Sequence, residues 1–206
     1  MIFKPKTIFI AGTNYTLVND TKIIKIPNKS RISNLQIEFQ KCGIWEIVSK
    51  NEELKKFKYA SNGKGSLDSN GVLILEKIDA RPLSSFLNTE EFLSLFEKSI
   101  EKLIELENRF QFSHGDFHID NILVDKQQNI LFIDFDYGYT QKYLHNTSYK
   151  DILHLLFIMK REYKSSFSTS SQEIQNIVER YFQKDKLQIV MQEMQCFFKI
   201  GYKELW

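Results

Sequence analysis

Apolar, β-branched and aromatic residues cluster in three short runs near the start of the chain, at residues 7–10, 15–18 and 22–26. Short runs of this composition, bounded by turn residues, predict β-strands. The intervening Gly12-Thr13-Asn14 and Asn19-Asp20 carry turn chemistry, and Pro27 ends the third run. Over residues 34–49 the spacing of Leu35, Ile37, Phe39, Ile44, Trp45 and Ile47 becomes mostly helical, with Ser33 or Asn34 as the expected N-cap. Residues 56–60 and 72–78 read as two further strands around a polar tip at 61–71.

The pattern changes after Pro82. Asn88-Thr89-Glu90-Glu91 resembles a capping box opening an amphipathic helix that runs to about Phe110. Phe92, Leu95, Phe96, Ile100, Leu103, Ile104 and Leu106 form its apolar face. Two short strands follow at 122–124 and 130–133. From Asp151 onward the pattern is helical, with a break expected at the polar stretch 165–171. The amphipathic runs 174–181 and 187–198 read as core packing. The predicted class is therefore α+β: an antiparallel sheet with one helix (1–80), a linker near Glu76–Pro82, and a mainly helical part (81–206). Ligand clefts favour such boundaries.

Composition narrows the class. The 206 residues include 17 Phe and 9 Tyr but only 8 Gly and 3 Pro, which describes a packed chain with a sizeable core. A formal net charge of +2 gives no footprint for nucleic acid. Cys42 and Cys196 are far apart and in no CxxC pair, so they read as reduced thiols rather than zinc ligands or a disulfide. No apolar run reaches the roughly 18 residues of a membrane span, and Met1–Ile10 lacks a signal-peptide pattern, so the expectation is a cytoplasmic protein. The oligomeric state is not legible.

The chemistry concentrates in Ser113-His114-Gly115-Asp116-Phe117-His118-Ile119-Asp120-Asn121, followed by Ile133-Asp134-Phe135-Asp136. Phosphoryl transfer needs a carboxylate to receive a hydroxyl proton, an amide and a second carboxylate for Mg²⁺, and a lysine for the nucleotide phosphates. Asp116 is the candidate base, Asn121 and Asp134 the candidate metal ligands, and Lys25, in the apolar run 22–26, the candidate phosphate lysine. Glu38 is the expected partner of Lys25, with Lys22 and Glu46 as weaker substitutes for the pair. His114 has a structural part in tying the loop, and Asp136 adds charge near a second metal ion. Two other readings compete. On a strand, His114, Asp116, His118 and Asp120 would share a face, as in a metallohydrolase; or the loop is merely a polar turn. Gly63-Lys64-Gly65-Ser66 lacks the first glycine of a P-loop and reads as a hairpin tip.

These residues resemble the protein-kinase-like superfamily, in particular its aminoglycoside phosphotransferase, choline kinase and lipopolysaccharide-core sugar kinase branches. The resemblance spans about residues 7–158, and it implies a two-lobed fold using ATP and Mg²⁺. It implies that Lys25 and Glu38 form the strand–helix pair and that Asp116 is the catalytic aspartate, with Asn121 and Asp134 holding metal. By the same resemblance Gly12 and Thr13 lie in the nucleotide-covering loop, Leu75 is the gatekeeper, and Glu76 to Ile78 is the hinge that meets adenine. Leu123 forms the floor under the base, and Asp151 braces the catalytic loop.

Three departures shape the expected acceptor. Gly12-Thr13-Asn14 offers one glycine in place of a glycine-rich loop. Gly115 stands where protein kinases carry an arginine, which argues against control through an activation-loop phosphate. Asp136 replaces a glycine, and no Ala-Pro-Glu follows before Asp151. The first expectation is a kinase acting on a hydroxyl of a small molecule or glycan. The alternatives are a compact protein Ser/Thr kinase, perhaps a secreted effector, and a pseudokinase-like binding module.

Overall fold

The computed structural model describes residues 6–11, 14–27, 39–135, 147–194 and 205. The chain divides into two compact units, Met1–Asp79 and Ala80–Trp206. It is α+β, with an antiparallel sheet in the first unit and mainly helices in the second.

In the first unit β1 (Thr7–Ala11), β2 (Asn14–Val18) and β3 (Lys22–Pro27) form a meander, as the three short runs and the turns between them predict. The chain then crosses through α1 (Phe39–Ser61) and returns as β4 (Gly65–Leu67) and β5 (Leu73–Glu76). The sheet order is β1-β2-β3-β5-β4, with Lys25 of β3 opposite Leu73 of β5 and Thr16 of β2. The polar tip between β4 and β5 is tied by Asp68, whose Oδ1 accepts from the amides of Asn70 and Val72.

Two expectations for this unit are corrected. Residues 56–60 are the last turns of α1, not a strand. Lys56-Phe57-Lys58-Tyr59-Ala60 alternates in the sequence, yet Glu53, Lys56, Phe57 and Ala60 are buried while Lys58 and Tyr59 are exposed. That is one face of a helix, with burial at i, i+3, i+4 and i+7. Nor is Gly63-Lys64-Gly65-Ser66 a hairpin tip: Gly65 and Ser66 already pair with Leu75 and Ile74. Gly63 is where the chain must pass the helix closely. A Cβ there would sit 2.1 Å from the buried Phe57 ring. The expected helix start at 33–34 lies outside the described residues, as do the side chains of Cys42 and Glu46.

The second unit carries a small sheet, β6 (Ala80–Pro82), β7 (Ile122–Asp125) and β8 (Ile130–Phe132), antiparallel in that order. A 3₁₀ turn, Leu83–Phe86, leads from β6 toward α2 (Phe92–Phe110). The inner face of α2, from Phe92 through Leu106, is buried as its spacing predicts, and packs against β8 and two later helices. Full burial of each such side chain contributes about 1.5–3 kcal/mol. The expected capping box does not form. The residue before the helix is Glu91 with no side-chain cap, and the Thr89 hydroxyl donates to the Phe86 carbonyl instead.

The helices α3 (Thr147–Glu162), α4 (Lys164–Tyr181) and α5 (Lys184–Glu193) complete the unit. The serine-rich stretch does not break the helical run; the break falls at Tyr163, and residues 165–171 lie inside α4. Ser168 and Thr169 donate back to the carbonyls of Lys164 and Ser165, and so satisfy their hydroxyls within the helix. Ile174, Ile177 and Val178 of α4 and Leu187, Val190 and Met191 of α5 are core, as expected.

Candidate active site

The loop 111–121 joins α2 to β7, and its shape is fixed from below. Gln111 ends α2 in the left-handed conformation (φ 50°), and its amide closes on the Glu107 carbonyl. His114 is fully buried against Phe117 and Phe135, with ring centroids 5.4 and 4.8 Å away. The backbone amides of His114 and Gly115 both donate to the buried Asp151 carboxylate of α3, at 2.8 and 3.0 Å. Gly115, at φ 82°, makes the turn that presents Asp116 beyond this brace.

Asp116 is half-buried. His118 Nε2 lies 3.7 Å from its Oδ2, and His154 Nδ1 of α3 lies 4.0 Å from its Oδ1. The neighbouring His118 ring holds the Asp116 carboxyl below the usual carboxylate range despite its burial. It is therefore ionised at neutral pH. Burial lowers the pKa of His154 and keeps that imidazole neutral, while Asp116 opposes the shift. His118 goes the other way: burial opposes its charge, but Asp116, Asp120 and Asp134 together raise its pKa.

Asn121 is almost completely buried, and its amide nitrogen is held on two sides. It donates to the Asp116 backbone carbonyl at 3.0 Å and meets His118 Nε2 at 2.9 Å. That leaves Oδ1 as the end suited to a hard cation. The Ile133 amide donates to the Asn121 carbonyl at 3.0 Å, so the strand end that carries Asp134 is stitched to the loop that carries Asn121. Asp134 itself adopts φ 61°, an uncommon conformation for a residue other than glycine. The amide oxygen and carboxylate offered by Asn121 and Asp134 match the all-oxygen chemistry of Mg²⁺.

The face-sharing arrangement of His114, Asp116, His118 and Asp120 does not occur. His114 is enclosed by aromatic rings while Asp120 is exposed, and the stretch is not a strand. Among the described residues, no group of three or more His, Cys, Asp or Glu is placed to hold a metal ion.

In the first unit Lys25 Nζ lies 2.6 Å from Glu53 Oε1, and Lys50 Nζ lies 3.3 Å from Glu53 Oε2, all three side chains buried. Glu38, the expected partner, is outside the described residues, and so are Gly12, Thr13 and Asp136. Among the described residues, Glu53 is a carboxylate paired with Lys25. Its sequence signal is its place on the buried face of α1, three residues from Lys50 and Lys56. Leu75 is buried on β5 opposite Ile23, and Glu76 closes that strand. The amides of Glu76 and Lys77 bond Lys64 and Thr21, and Ile78 follows them. Leu123 is half-buried on β7 in the second unit, opposite Pro82 and Leu131. Besides Glu53, the sequence reading missed His154 beside Asp116 and Asp120, which joins Ser84 to Tyr163.

The chain matches the family model described as Haspin like kinase domain over residues 23–189. No curated protein matches it. The match supports the protein-kinase-like superfamily, but not the aminoglycoside phosphotransferase, choline kinase or sugar kinase branches in particular. It covers well over half of the chain, from β3 into α5, and includes every candidate residue except Gly12, Thr13 and the substitute Lys22. The chain belongs to the Haspin-like kinase domain family and is a kinase, a phosphotransferase with a hydroxyl acceptor.

Proposed function

We propose that the protein transfers the γ-phosphoryl group of ATP to an alcohol, with Asp116 facing the acceptor and Asn121 and Asp134 holding Mg²⁺. The Asn121 clamp carries this reading: its amide nitrogen is held at the Asp116 carbonyl and beside His118 Nε2, and its oxygen is left over. Bound there, Mg²⁺ would neutralise charge on the phosphate oxygens. Asp116 would accept a hydrogen bond from the acceptor hydroxyl and so orient a lone pair of the hydroxyl oxygen toward phosphorus. Its lowered pKa makes it a weak base, which suits a loose transition state in which the proton leaves late. Lys25, steadied by Glu53, supplies positive charge for the nucleotide phosphates. Leu75, Glu76, Ile78 and Leu123 belong to the adenine side, and Gly12, Thr13 and Glu38 to the nucleotide side, on the resemblance of their positions.

The acceptor in this reading is a small molecule or glycan. Gly115 in place of arginine and the lack of Ala-Pro-Glu before Asp151 support it, because they leave little of a peptide platform. The family match favours a second reading, a protein serine or threonine acceptor. A cytoplasmic setting goes with either, given two cysteines with no pairing pattern. Incubation with Mg²⁺ and γ-labelled ATP distinguishes the two readings. Label in a sugar or other small acceptor supports the first, and label in protein the second. No transfer to any acceptor, with Asp116→Asn indistinguishable from the parent, would overturn the assignment of the base.

A further inference from the structure

We propose that Asp120 is a positioning residue: it sets the tautomer of His118, and through that ring steadies the Asn121 amide so that its oxygen stays aimed at the metal. This rests on the reading of Asn121 as a Mg²⁺ ligand. Asp120 is anchored from two sides. Ser84 Oγ, in the 3₁₀ turn after β6, donates to its Oδ1 at 2.5 Å, and the Tyr163 hydroxyl, at the junction of α3 and α4, donates to its Oδ2 at 2.7 Å. The same Oδ2 lies 3.7 Å from His118 Nδ1. A fixed negative charge beside Nδ1 favours a proton there, and the hydrogen bonding of one ring nitrogen sets the state of the other.

On the far side of the ring, Nε2 meets Asn121 Nδ2 at 2.9 Å. The Asp116 carbonyl, 3.0 Å from that same Nδ2, shows which end of the amide is which. A carbonyl oxygen only accepts, so the group facing it is the NH₂; reversing the amide would set two oxygens against each other. An Nε2 that faces NH₂ must accept in its turn. It carries no proton, and the ring's single proton sits on Nδ1, toward Asp120. Asp116 Oδ2, 3.7 Å from Nε2, pulls the proton the opposite way. Asp120 is the counterweight. Without it, Nε2–H is favoured, two donors meet, and the amide loses one of the bonds that aim Oδ1.

The test reads the ring directly in the full-length, ¹⁵N-labelled protein, without nucleotide or metal, at a pH above the titration of His118. Two-bond ¹H–¹⁵N correlations should show the Nδ1–H tautomer in the parent and a shift toward Nε2–H in Asp120→Ala. An Nε2–H ring in the parent, or an unchanged tautomer in the variant, would overturn the proposal. Asp120→Asn, which keeps the shape and removes the charge, carries the same expectation if the alanine variant does not fold. In parallel, the Mg²⁺ concentration for half-maximal turnover should rise about tenfold in Asp120→Ala, the usual cost of losing support behind a metal ligand, with a smaller change in kcat at saturating Mg²⁺. A shifted tautomer with an unchanged Mg²⁺ requirement would overturn the metal-aiming part of the proposal and leave the Asp120–His118 coupling; the Asn121 ligand assignment falls only if Asn121→Ala also leaves the Mg²⁺ requirement unchanged. An unchanged tautomer with an altered Mg²⁺ requirement would overturn the coupling and spare the ligand assignment.

Discussion

Glu53 holds two ammonium groups at once: Lys25 lies on its Oε1 at 2.6 Å and Lys50 on its Oε2 at 3.3 Å, with every partner buried. Removing the shared carboxylate should be worse for stability than removing either lysine. Glu53→Ala strips a partner from two buried ammoniums, and the loss of a buried partner typically costs about 3–5 kcal/mol. Lys25→Met leaves Glu53 still bonded to Lys50 and should cost less. Denaturant unfolding of the two variants checks the order; equal losses would show that Lys50 does not support Glu53. Lys25→Met should nonetheless raise the KM for ATP.

Asp116→Asn should lower turnover by about two decades or more, roughly 3 kcal/mol of transition-state stabilisation. ATP affinity should stay near that of the parent if, as proposed, the side chain faces the acceptor and not the nucleotide. Steady-state kinetics beside direct nucleotide binding separates the two. A variant with full turnover would remove Asp116 from the chemistry.

Asp134 allows its backbone and side-chain roles to be separated. At φ 61°, replacement by glycine removes backbone strain along with the carboxylate, whereas alanine keeps an unfavourable conformation and also loses the side chain. Asp134→Gly should therefore melt at or above the temperature of Asp134→Ala. Both should lose the Mg²⁺-dependent part of the stabilisation given by ATP. Thermal melts with ATP, with and without Mg²⁺, measure both effects. If the parent showed no metal-dependent shift, the Mg²⁺ reading would fail.

His154 should leave a mark on the pH dependence of stability. Its folded pKa lies below the ordinary 6.5 because it is buried, so the unfolded chain binds the proton more readily. Its contribution is present above about pH 6.5 and is lost as pH falls through the folded pKa. His118, with its pKa raised, slopes the opposite way, so the total curve is not diagnostic. The difference between the parent and His154→Leu should rise with pH across the range just below 6.5. A flat difference would mean that the ring is not held neutral by burial.

Local pattern made some of this architecture readable in advance. The first strands are short β-branched and aromatic runs bounded by turn residues, the face of α2 repeats every three to four residues, and the motif spacing marks the loop and hairpin. Where two patterns fit the same residues, tertiary context decided. Lys56 to Ala60 alternates well enough for a strand, yet Phe57 is buried as part of a helical face whose other members, Glu53 and Ala60, lie outside any two-residue register. The serines of α4 looked like a break because their hydroxyls compete with the backbone; here they bond back to it. Glu53 was hidden because the residue of α1 that meets β3 depends on how helix and sheet pack. His154 and Asp120 were hidden for the same reason. Their partners, Asp116, Ser84 and Tyr163, lie far away in sequence.

The brace beneath the loop also orders events during synthesis. The amides of His114 and Gly115 end on Asp151, up to 37 positions further along. A nascent chain that has just emerged through Asp134 therefore carries the candidate groups of the site without the part that sets their posture. Competence arrives only when the first turns of α3 dock, so the ribosome delivers the chemistry before it delivers the geometry.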